Sequence, residues 1–237
     1  MNPTRRRAAG RIAALLVFGL AFGYLEAAVV SYLRTLHEPV RQHYYPVRPP
    51  DDLFPLLTLD QVRAAAPQTM KTIAVEVGRE AATLVMLAAI AWAVADSAGE
   101  WAAAFAISFG VWDIAFYLFL KLLLDWPASL FTWDVLFLIP VPWVGPVLAP
   151  VLVAAAMIAT GVWHLQRESG GERVRVGLGH WSGLVFGALV IVVSFTMDWR
   201  NIMAGGMPRP FHWPLFGAGL AIGLASYAAA ANPRRGR

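Results

Sequence analysis

The sequence predicts an all-α, polytopic membrane protein: a six-helix transmembrane bundle with a broken fourth helix, built as a single transmembrane domain over residues 1–237. Three observations carry that expectation. The chain is 58% hydrophobic and only 14% charged, far from an average soluble domain. Apolar runs of the roughly 20 residues that a span requires recur between short polar or Gly/Pro-containing breaks. Most of the ten Trp fall at the ends of those runs, where indoles anchor a bilayer interface.

Composition also removes whole classes of function. With no Cys there are no disulfides, thiolate metal sites or Cys nucleophiles, so any metal must use oxygen or imidazole ligands. The net charge of +4 does not point to nucleic acid, because the basic residues gather at the two termini and in one loop, where topology explains them.

The first span is expected at Ile12 to Leu33, behind Arg5, Arg6, Arg7 and Arg11. A cleavable signal peptide has similar flanks, with Ala27-Ala28 placed for processing, but the apolar run continues past Ala28 to span length and favours a retained helix. Gly19, Gly23 and Glu26 share one face of it, so another helix is expected to approach closely there. Residues 34–71, rich in Pro and in charges of both signs, are expected as an extramembrane cap loop. Within it, Thr58-Leu59-Asp60-Gln61 has the spacing of a capping box that opens a short helix ended by Pro67, and the Leu53 to Leu59 run is expected on the membrane surface.

The second span is expected at Thr72 to Ala95 and the third at Trp101 to Leu124, antiparallel across the turn Asp96 to Glu100. The apolar segment Phe131 to Leu165 is too long and too interrupted for one span. Its prolines divide it into a half-helix Thr132 to Ile139, an unwound stretch Pro140 to Pro146 and a helix Val147 to Trp163, the alternative being one kinked helix. A basic loop with Arg167, Arg173 and Arg175 leads to the fifth span, Leu178 to Met197; an outer loop then leads to the sixth, Pro214 to Ala231. The positive-inside rule places the tails 1–11 and 232–237 in the cytoplasm, the cap 34–71 outside, and the protein in the cell's inner (plasma) membrane.

Charged residues inside these runs mark the candidate site. Glu76, Arg79, Glu80 and Thr83 lie three and four residues apart, on one helical stripe, and a stripe of ionised groups cannot face hydrocarbon. Glu26, Asp113 and Asp134 lie in other apolar runs. All five acids are expected to converge with Arg79 in the outer half of the bundle. Such a surplus of buried negative charge must be neutralised by protons, a bound cation or a cationic substrate. A divalent metal of the Mg, Ca or Mn type is the cofactor this donor set admits, with Glu26, Glu76, Glu80, Asp113 and Asp134 as ligands or proton carriers, Arg79 orienting them, and His43 and His212 as additional imidazoles. A structural reading stands beside it: Arg79 pairs with Glu76 or Glu80, and Asp113 and Asp134 bond the indoles of Trp112, Trp133 or Trp143, or backbone amides freed by the broken helix.

No HExxH, GxSxG or phosphate-binding loop is present. The expected function is therefore a buried acidic, cation-binding pocket. A membrane-embedded enzyme, a proton- or cation-coupled transporter and an accessory subunit of a membrane complex are the classes it leaves open. The lipid bilayer is the expected partner, with a membrane-protein partner or a second copy of the chain beside it.

Overall fold

The computed structural model describes residues 3–49, 52–65, 67–172, 174 and 176–232. Its elements in chain order are α1 (Pro3–Tyr44), α2 (Leu59–Ala65), α3 (Pro67–Val94), α4 (Ala98–Leu124), β1 (Trp133–Phe137), β2 (Trp143–Pro146), α5 (Leu148–Ser169), α6 (Leu178–Thr196), α7 (Trp199–Met203) and α8 (Trp213–Ala230). Among the described residues, five helices are long and apolar enough to cross a membrane: α1, α4, α5, α6 with its short continuation α7, and α8. The expected second span, α3, is a 28-residue helix but is not one of those five, and its first half carries Lys71, Glu76, Arg79 and Glu80. Large apolar side chains such as Val17, Leu25, Val85, Phe186 and Leu189 cover the outside of the bundle, as expected of a lipid-facing surface.

The expected glycine face is where α1 meets α4. A Cβ on Gly19 would lie 2.8 Å from Val111 Cβ, and one on Gly23 would lie 2.6 Å from Ala115 Cβ. Gly110 and Gly161 play the same part between α4 and α5, each with a carbonyl of the facing helix 2.6 Å from where its Cβ would be. The described ends of the chain lie together. Arg11 pairs with Asp96 and with Glu100 at 2.9 Å, Thr4 donates to the Ser169 carbonyl, and Arg167 donates to the Ala231 carbonyl at 2.7 Å. The hydrogen bond from Arg11 holds the Asp96 carboxyl below the usual carboxylate range. The expected tail 233–237 and loop residues Arg173 and Arg175 lie outside the described residues.

Three expectations are corrected at the opposite end. The half-helix Thr132 to Ile139 does not form. Residues 133–146 make an antiparallel β-hairpin instead, with Trp133 opposite Pro146, Asp134 opposite Gly145, Val135 opposite Val144 and Phe137 opposite Trp143. The reason is the proline content: Pro140 and Pro142 have no N–H to give a helix, whereas a two-stranded ribbon pairs the remaining backbone groups with each other. The helical fold class holds, with this two-stranded ribbon the one sheet among the described residues, but the broken fourth helix does not: the fourth apolar segment is a hairpin followed by α5.

The cap, secondly, is not all loop. α1 continues as helix through Arg34 to Tyr44 with Pro39 inside it, and at ~1.5 Å per residue its 42 residues are about 60 Å long, twice the thickness of a bilayer core. Thirdly, the Leu53 to Leu59 run is not a surface segment. Phe54 is 1% exposed and packs with Val144 and Ile202, so the run ties the cap to the hairpin and to α7. The capping box does form: Gln61 N–H donates to Thr58 Oγ1 at 3.3 Å, and Thr58 N–H donates to Gln61 Oε1 at 2.8 Å. Pro67 begins α3.

Candidate functional site

The charged stripe of α3 points at α1. Arg79 Nε and Nη2 donate to the two oxygens of Glu76, the former at 2.9 Å, and Nη1 donates to Glu26 Oε1. Thr83 Oγ1 lies 3.5 Å from both Arg79 Nη1 and Glu26 Oε2 and closes the group. Spacing of three residues puts Glu76 and Arg79 on adjacent turns, and the small face of Gly19 and Gly23 brings α1 into the bundle one turn before Glu26. Glu26 is 7% exposed, so its pairing with Arg79 is what its burial requires.

Glu80 does something different. Both its oxygens accept from the backbone N–H of Leu138, at 3.1 and 2.9 Å. Leu138 directly follows β1, where the ribbon ladder ends and Pro140 begins the turn. A buried backbone donor left without an acceptor costs about 1–3 kcal/mol, and Glu80 supplies the acceptor. Glu80→Leu is therefore expected to destabilise the detergent-solubilised protein by about 1–3 kcal/mol, while Glu80→Gln, which keeps a carbonyl oxygen there, loses much less. Thermal unfolding of the two variants checks this, and equal losses would remove the Leu138 bond from the account.

Asp113 and Asp134 form a second group, with Tyr117. Tyr117, one turn beyond Asp113 on α4, donates to Asp134 Oδ2 at 2.8 Å. Asp134 is held on β1 by its pairing with Gly145, and the two carboxyl groups interact electrostatically with each other. Asp113 Oδ2 is buried without a hydrogen-bond partner. Two of the expected indoles do not serve these acids, since Trp112 Nε1 and Trp143 Nε1 are themselves buried without partners, whereas Asp134 does accept from a backbone amide, that of Val135.

The five acids thus fall into two groups rather than one. Glu26, Glu76, Glu80 and Arg79 belong to the first and Asp113 and Asp134 to the second, joined by the hairpin that Glu80 holds at Leu138 and that carries Asp134. Among the described residues, no three His, Asp or Glu side chains are arranged to hold a metal ion. His43 is exposed and packs edge-on against the Tyr44 ring, and His212 is exposed just before α8, its carbonyl accepting from Phe216; neither joins the acids.

Two further basic side chains take part: Arg34, which the sequence did not single out, and His37, one of the cap residues expected either at the headgroup level or beside the site. Arg34 stacks on Trp126, 3.9 Å from the ring centroid, and interacts electrostatically with Asp134 and Tyr117. His37 lies within electrostatic range of Glu76. A signal was available for Arg34 as well. Continuing the 3.6-residue period of α1 past Leu33 puts Arg34 and His37 three residues apart, one and two turns or so beyond Glu26–Val30 on the same helix.

No protein-family model matches the chain, and no curated protein or solved structure is detectably similar to it.

Proposed function

We propose that this is a six-span membrane protein, with α3 as the sixth crossing helix, whose hairpin half binds protons on buried carboxyl groups. Five carboxyl groups, Glu26, Glu76, Glu80, Asp113 and Asp134, stand there against two guanidinium groups, Arg34 and Arg79. Three negative charges are then left for the site to neutralise in a low-dielectric interior. The observation that carries the reading is Asp113 Oδ2, buried with no donor beside the Tyr117–Asp134 pair. A proton supplies what that oxygen lacks. A divalent cation is supported less well, since the described acids divide into two groups and part of their donor capacity is already used by Arg79 and Leu138.

The positive-inside distribution of Arg supports a reading in which the hairpin end faces outward and the termini lie in the cytoplasm at a plasma membrane. The buried carboxyl groups, Glu26, Glu80, Asp113 and Asp134, lie toward that one end, which favours a site reached from outside over one exposed alternately to both faces.

Infrared difference spectroscopy across a pH titration tests the proposal. The expected result is a carboxylic-acid C=O band at neutral pH in the wild-type protein that disappears in Asp113→Asn and persists in Asp125→Asn, an exposed acid paired with Lys121. A spectrum with no protonated carboxyl overturns it. So does stoichiometric divalent metal in the purified protein that falls in Glu80→Gln, which would make the same residues a metal site.

A further inference from the structure

At the other end of the bundle, α4, α5, α6 and α8 line a partly open cavity of about 300 Å³ that the carboxyl groups do not touch. Its walls are small and apolar, with Ala102, Ala106, Ala156 and Gly223 among them, and its volume is at the lower edge of the roughly 300–1,000 Å³ typical of small-molecule sites. One end is polar. His164 Nδ1 lies 3.1 Å from Tyr227 Oη, and Tyr227 Oη lies 3.2 Å from the Thr160 carbonyl. His164 lines the cavity and is 2% exposed, and its Nε2 is buried with no hydrogen-bond partner, 3.0 Å from where a Cβ on Gly99, another lining residue, would lie. Glu168 Oε1 is 3.5 Å from that nitrogen, beyond ordinary hydrogen-bond length.

The direction of the cavity follows from the helices. Val153 on α5, Ile191 on α6 and Gly219 on α8 line its deep part, while His164, Trp181 and Tyr227 line the part nearest the chain termini. Polar at the interface and apolar toward the middle is the profile of one lipid in a leaflet. The cavity also shares Thr160, Leu224 and Tyr227 with a surface groove that runs past Trp163 and Arg167, which gives a chain a way in from the bilayer.

We infer that this cavity binds a single long-chain amphiphile whose apolar chain fills it and whose hydroxyl group bonds to His164 Nε2. Tyr227 Oη donates to the Thr160 carbonyl, so Nδ1–H donates to Tyr227 and Nε2 is left as an acceptor for the ligand's O–H, which an ether lacks. An all-apolar occupant would leave Nε2 buried and unpaired.

Delipidated full-length protein titrated with dodecanol and with dodecyl methyl ether, read by thermal shift, tests the inference. The wild-type protein is expected to bind the alcohol about two- to tenfold more tightly than the ether, the worth of one net hydrogen bond. His164→Ala removes that preference and leaves the weaker affinity for both. Ala156→Phe, or Ala102→Leu from the opposite wall where the first variant does not fold, removes binding of both. Asp113→Asn leaves the preference intact, so this result does not depend on the proton site. Equal binding of alcohol and ether by the wild type, an unchanged preference in His164→Ala, or undiminished binding in the filled variants overturns it. Mass spectrometry of lipid that co-purifies then separates a glycerolipid from a prenyl or sphingoid alcohol.

Discussion

Arg79→Ala is expected to lower the stability of the solubilised protein by about 3–5 kcal/mol, the cost of removing one partner from a buried charge group. Arg79 donates to both oxygens of Glu76 and to Glu26, and the Glu26 side chain is only 8% exposed. Without the guanidinium, two carboxylates face each other across α1 and α3 with only Thr83 to bond to. The deficit should shrink as pH falls, because a proton on Glu26 removes the charge that has lost its partner. Arg79→Lys should lie in between: an ammonium keeps the charge but cannot fork to Glu76 while reaching Glu26. In a Glu26→Gln background the further loss from Arg79→Ala should be much smaller, since the two residues act as a unit. Thermal unfolding of the wild type, the three single variants and the double variant across pH measures all of this. A loss of equal size in both backgrounds would mean that Arg79 is held by something other than these acids.

How far the sequence alone led depends on whether a feature is local. The apolar runs that became α4, α6 and α8 needed only length and composition, and the boundaries differ from expectation by a few residues at most. The Thr58–Gln61 capping box and the Glu76–Arg79 pair were legible because both partners sit three residues apart. The hairpin was not. Its strands lie in one continuous apolar stretch, where period-two alternation is hidden because both faces are covered, and short apolar runs read equally as helix or strand. The continuation of α1 through Arg34 to Tyr44 was obscured by Pro39 and by polar composition, although a helix outside lipid has no need of an apolar face.

For the site, residue identity was legible and partnership was not. Glu26, Asp113 and Asp134 stood out as charges in apolar runs, and all three are buried. What each one bonds to is set by tertiary contacts. Glu80 serves a backbone N–H 58 positions away, and Asp134 takes Tyr117 from α4 and the field of Arg34 from α1. No spacing rule connects such pairs, so the single convergence expected from depth in the bilayer resolved into two groups.

The packing that brings Glu26 to Arg79 gives the other large expected effect. At Gly23 an added Cβ would lie 2.6 Å from Ala115 Cβ, 2.8 Å from the Trp112 carbonyl oxygen and 2.9 Å from Phe116 N, so two of its three nearest atoms are backbone. Gly23→Leu must therefore push α1 away from α4, and overpacking of this kind costs about 1–3 kcal/mol or more. Gly78, on α3, has open space around its Cβ position and is the control: Gly78→Ala should be neutral or stabilising by up to about 1 kcal/mol, as helix propensity dictates. Unfolding measurements that rank Gly23→Leu with Gly78→Ala would remove the α1–α4 glycine contact from the account. Because Glu26 lies one turn beyond Gly23 on the same face, displacing α1 also draws Glu26 from Arg79. Gly23→Leu and Arg79→Ala should accordingly be less than additive in the double variant, the packing defect and the lost ion pair being two ways of breaking one contact.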